Sequence, residues 1–124
     1  MSTILVPIDF SEETPEVIEC AAMLARRNRS QLILMHVSPG EPAAGDDTAA
    51  GMQRLEDYLR EDGLQVSCAI RSGEPAREIV EFGSSIKADC IIIGRHDHAG
   101  AGTGDNSITS YVERQASCAV VAVP

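Results

Sequence analysis

Aromatic side chains are almost missing from these 124 residues: Phe10, Tyr58, Phe82 and Tyr111 supply 3% of the chain, and there is no tryptophan. A core drawn from this inventory is aliphatic, and platforms for stacking nucleic-acid bases are scarce. Positive charge is short as well, with 10 Lys and Arg against 19 Asp and Glu and a net charge of −9. Following a phosphate backbone takes clustered cations that release counterions, so nucleic acid is not an expected partner. The four cysteines, Cys20, Cys68, Cys90 and Cys118, form no C-x-x-C pair and have no histidine at zinc-finger spacing. They read as reduced, buried thiols. No apolar run approaches the ~20 residues that span a bilayer, and Met1-Ser2-Thr3 runs into an apolar segment without a charged leader. A cytoplasmic protein with no membrane attachment is expected, and the length suits one domain spanning residues 1–124.

What is present is a repeating alternation of apolar runs and amphipathic segments. Thr3–Ile8 reads as a strand buried on both faces, with Pro7 marking its end or a break in its ladder. Ser11 or Thr14 then offers an N-cap, Pro15 suits a first helical turn, and Val17, Ile18, Ala21, Ala22, Leu24 and Ala25 recur at helical spacing. The acidic residues Glu12, Glu13, Glu16 and Glu19 at this helix start read as a solvated face that complements the helix dipole. Further strands are expected at 31–37, 64–70, 89–94 and 118–123, with helices at 49–60, from Pro75, and at about 107–115. The pattern is βαβαβαβαβ.

Alternating strands and helices imply right-handed crossovers and an open parallel sheet with helices on both faces, a Rossmann-like α/β architecture. In such sheets ligands bind beyond the carboxyl ends of the strands, where the strand order reverses. For a five-stranded order of 3-2-1-4-5 that place lies between strands one and four, at Asp9-Phe10-Ser11 and Gly94-Arg95-His96. Periodicity alone does not supply the order.

Several segments carry a family resemblance. Ile4-Leu-Val-Pro-Ile-Asp-Phe-Ser-Glu-Glu13 resembles the opening of universal stress proteins. His36-Val37, Gly73-Glu-Pro-Ala-Arg-Glu-Ile-Val80, Ala88-Asp-Cys-Ile-Ile-Ile-Gly94, and Ser107 through Val120 are similar to later segments of that family in order and spacing. The resemblance implies the 3-2-1-4-5 sheet of the adenine nucleotide alpha hydrolase-like type and a homodimer formed through the last strand. It also implies ATP as a candidate cofactor, held through a fingerprint of three spaced glycines and a Ser or Thr after strand four. Here Gly94 is kept, Asp97 stands in place of the second glycine and Asn106 in place of the third. If ATP binds, the resemblance puts adenine against backbone groups of Val37, the nucleoside near Pro7 and Asp9, and phosphate near Gly94, Arg95, Asn106 and Ser107.

Glycines matter in that fingerprint because they let backbone N–H groups approach phosphate at a helix N-terminus. The run Gly100-Ala-Gly102-Thr-Gly104 compensates in part. Asp97 and Asp105 oppose it, since a carboxylate ~5–6 Å from a phosphate oxygen costs on the order of 2–3 kcal/mol at an effective dielectric near 20. His96-Asp97-His98 is a short run of metal-capable side chains, read as solvated rather than as a metal site. No P-loop lysine and no G-x-S-x-G elbow is present, which removes the usual NTPase and serine-hydrolase machinery. The leading expectation is a non-enzymatic, dimeric stress-response module with a weakened or absent ATP site. An ATP-binding regulatory switch is the alternative, and a small-molecule or metal enzyme using Asp9 and His96 the second.

Overall fold

The computed structural model describes residues 2–41, 45–95 and 107–124. Its elements run β1 (Thr3–Pro7), α1 (Thr14–Asn28), β2 (Gln31–Ser38), α2 (Thr48–Glu61), β3 (Val66–Ser72), α3 (Pro75–Ser85), β4 (Cys90–Gly94), α4 (Ile108–Gln115) and β5 (Ala119–Val123). All neighbouring strands are parallel, in the order β3-β2-β1-β4-β5. This is the architecture expected from the sequence, and β5 lies at one edge.

Strands β1, β2 and β4 divide two cores by their alternation. Ile4, Val6 and Ile8 join Leu32, Leu34 and Ile92 under α1 and α2, together with Val17, Ala21, Ala25, Met52 and Leu59. Leu5, Met35, Ile91 and Ile93 face the other way, against Ile79 of α3 and Val112 of α4. Central strands buried on both sides read as unbroken apolar runs, which is why β1 and β4 contain so little polarity.

Local chemistry sets the helix ends. α1 has Pro15 in its first turn, Arg26 and Arg27 in its last, and closes on Arg29 in the left-handed region at φ 55°. Its start differs from expectation: neither Ser11 nor Thr14 is the cap. Ser11 O instead accepts from Thr14 N–H in a tight turn, and Glu13 occupies the cap position without a capping side-chain bond. α3 starts at Pro75 with the Glu74 carboxylate accepting from Arg77 N–H at 2.8 Å. The third strand begins two residues later than expected, because Leu64 N–H still bonds Leu59 O at the end of α2 and Gln65 O already accepts from Leu32 N–H. The cysteines are free, as expected, but partly exposed rather than fully buried.

Candidate functional site

Pro7 ends β1 and also opens the sheet. Thr3 O accepts from Asp89 N–H on the β4 side, while Ile8 N–H donates to Met35 O on the β2 side at 2.7 Å. By alternation the Pro7 nitrogen faces β4, where it has no N–H to give. The β1–β4 register accordingly runs only through Ile4↔Cys90 and Leu5↔Ile91, whereas β1–β2 pairing continues to Pro7↔Met35. Beyond this point the strands separate and leave a cleft with about 630 Å³ of space between its walls, the solvent mouth included.

Apolar side chains make the floor and the β2 side: Met35 and Val37 from β2, Ile79 from α3, Ile93 from β4 and Ile108 from α4. The backbone of Val37 is placed with purpose. Met35 shares its parity and turns its carbonyl to Ile8, so the Val37 N–H and C=O also point toward β1, two residues past the last β1–β2 pair. The carbonyl that would continue the ladder, that of Ile8, is taken by His36, whose Nδ1–H donates to it at 2.7 Å. Strand-type donor and acceptor groups are thereby turned toward the cleft.

The β4 side has a different character. Gly94 ends β4 against α1, where a β-carbon would lie in ordinary contact, 3.4 Å from Glu13 Oε1 and 3.5 Å from Val17 Cγ2. Glu13 is 8% exposed and lines the cleft. This corrects the reading of Glu12, Glu13, Glu16 and Glu19 as one solvated face: Glu12, Glu16 and Glu19 are exposed, and Glu13 is not. Thr109, buried at the start of α4, donates its hydroxyl to Gly94 O at 2.7 Å and pins α4 to the strand end. Thr14 also lines the cleft, and its Oγ1 is buried with no hydrogen-bond partner among the described residues.

Of the residues singled out from sequence, Pro7, Asp9, Ser11, Val37 and Gly94 converge on this cleft. Asp9 is exposed at the mouth, and its Oδ1 accepts from Ser11 N–H at 2.9 Å. Phe10 beside it adopts φ 57°, unusual for a bulky residue, with its ring 5.3 Å from that of His36 and over the helix at Gly51. Arg95 is exposed and outside the lining, its backbone N–H bonded to Val123 O at 2.7 Å. Ser107 is buried and turned to its own helix, where its Oγ accepts from Ser110 N–H at 2.9 Å as the cap of α4. Asn106, like His96, Asp97, His98, Asp105 and the glycines at 100–104, lies outside the described residues. Among the described residues no cluster of His, Cys, Asp and Glu has the arrangement of a metal site, and no helix is long and apolar enough to cross a membrane.

The sequence model of the universal stress protein family matches residues 1–124. The chain belongs to this family. A universal stress protein of Synechocystis, Sll1388, is 27% identical over 147 residues, covering 97% of this chain and 96% of its own. The universal stress protein UspA from Lactobacillus plantarum superposes with a TM-score of 0.83 at 21% identity, over 99% of this chain and 97% of the other. A universal stress protein from Archaeoglobus fulgidus solved in complex with dAMP gives 0.79 at 22% identity, over 100% and 98%. As a universal stress protein, the chain has the sheet order expected of that family. Sequence reasoning missed Glu13, Thr14, Met35, Ile79 and Ile108 as cleft residues. For Glu13 a signal existed, since residues 13, 17, 21 and 25 fall on one helical stripe and the last three are apolar.

Proposed function

We propose that the chain is a non-enzymatic binding module of the stress-response type, one unit over residues 1–124 in the cytoplasm, whose cleft takes the adenine end of a nucleoside or nucleotide. The observation that carries this reading is Val37, whose N–H and C=O face an apolar slot beyond the last β1–β2 pair. Such a donor and acceptor side by side match the amino group and ring nitrogen on the edge of adenine, and the slot's aliphatic walls suit the base faces. Asp9 at the mouth would take ribose hydroxyls. Structural neighbours named as complexes with cAMP, dAMP and AMP share the adenine base, which supports this choice.

ATP would keep the same contacts to its base and meet a weakened phosphate end, because Ser107 is committed to capping α4 and Arg95 lies outside the cleft lining. Calorimetric titration with adenosine and AMP at up to millimolar concentration tests the reading. Saturable binding of at least one is expected, and binding of neither overturns it.

The module acts as a homodimer through β5. That strand, Ala-Val-Val-Ala-Val, is an apolar edge that invites pairing with a second copy. Sedimentation equilibrium at micromolar concentration should give the dimer mass, and a monomer would remove this part of the proposal.

A further inference from the structure

In a parallel pair of strands a residue turns its N–H and C=O to the same neighbour, and these bond the residues on either side of its partner. The β1–β2 register sets Thr3 against Gln31 and Pro7 against Met35, so the next rung pairs Ile8 with His36. Half of that rung is made, by the bond from Ile8 N–H to Met35 O at 2.7 Å. The other half would run from Val37 N–H to Ile8 O, and among the described residues it is not formed. A side chain stands there instead, with His36 Nδ1 2.7 Å from the Ile8 carbonyl oxygen. A carbonyl oxygen only accepts, so Nδ1 carries the proton.

The imidazole is held for this contact from the far side of the sheet. By alternation with Leu34 the His36 side chain lies on the α1–α2 face, outside the cleft lining to which Val37 belongs. Phe10 takes φ 57° and sets its ring 5.3 Å from the imidazole. Gly51 of α2 leaves the space for that ring, since a β-carbon there would come within 2.9 Å of Phe10 Cε1. We propose that His36 is a positioning residue: by occupying the Ile8 carbonyl it keeps Val37 N–H out of the ladder and open to a ligand. The identity of that ligand rests on the nucleoside reading of the cleft, and the free amide on the backbone alone. Without the imidazole, Ile8 O becomes an acceptor in a buried residue with no donor, and Val37 N–H is the group the ladder directs to it. The bond so formed would take the donor that the base edge uses.

The test compares wild type, His36→Phe and His36→Asn by amide hydrogen exchange without ligand and by calorimetric titration with adenosine. Phe keeps an aromatic ring against Phe10 and has no donor, whereas Asn carries an N–H the same number of bonds from the backbone as Nδ1. In wild type the Val37 amide should exchange about tenfold or more faster than that of Met35, which lies inside the β1–β2 pairing. His36→Phe should slow Val37 exchange about tenfold and weaken adenosine binding about tenfold, the scale of one hydrogen bond. His36→Asn should stay within about threefold of wild type in both. A wild-type Val37 amide as protected as that of Met35 overturns the proposal without any variant having to fold. Unchanged exchange or unchanged affinity in His36→Phe overturns it too, as does equal loss of binding in both variants, which would mark His36 as packing alone. Absence of adenosine binding by wild type overturns the nucleoside reading, while the exchange rates still decide the role of His36.

Discussion

On the β2 side the cleft is bounded by Met35, Val37 and Ile79, aliphatic side chains continuous with the core beneath α3 and α4, with strand backbone turned inward at Val37. On the β4 side it is bounded by the buried Glu13, by Gly94 and by a threonine bonded to a main-chain carbonyl. The first side is made of groups whose structural role leaves binding capacity over. The second is more polar, and there the Thr109 hydroxyl is committed to holding α4 on the end of β4. The two sides of the cleft depend on different elements, so under the proposed reading the base contact at Val37 can be altered independently of the β4 side.

The contrast breaks most visibly at Ile79, which is both cleft wall and core at 4% exposure. Ile79→Ala should cost about 2–4 kcal/mol in urea unfolding, from lost transfer energy and an unfilled cavity. A loss under ~1 kcal/mol would mean the β2 wall is not part of the core. Next in size is Thr109→Val, which leaves the Gly94 carbonyl without its 2.7 Å donor. About 1–2 kcal/mol is expected in the same assay, and no change would show that α4 is held by other means.

The smallest effect concerns pH. Burial, with the Glu56 carboxylate beside it, pushes the Cys68 thiol up to about 12 from an ordinary 9.0, and burial raises Cys90 and Cys118 too. A group held protonated in the folded state stabilises it fully below the unfolded pKa, and that contribution is lost as pH rises toward the folded one. Stability should therefore be insensitive to these thiols up to about pH 9 and then fall. Cys68→Ala should flatten the decline, and slow alkylation of the native protein at pH 7.5 should accompany it.

Much of this was legible in the sequence. The apolar runs of β1 and β4, Pro15 and Pro75 at helix starts, and the family-like segments led to the sheet and to Pro7, Asp9, Val37 and Gly94 as neighbours. What escaped reading depended on contacts between distant segments. The bond from His36 to Ile8 O joins residues 28 apart and frees Val37 from its ladder, which no periodicity reports. Glu13 was misassigned because an acidic run at a helix start is usually solvated, and its neighbours Glu12 and Glu16 are. Its phase with Val17 and Ala21 was the stronger signal, outweighed by side-chain type.

The most direct measurement of the central claim is the backbone amide of Val37 in a ¹⁵N–¹H correlation spectrum titrated with adenosine. The account predicts that Val37 shows one of the largest shifts, together with amides near Asp9 and at the start of α3, saturating on one binding curve. A Val37 amide that stays in place while other regions respond, or a spectrum unchanged at millimolar adenosine, would contradict it.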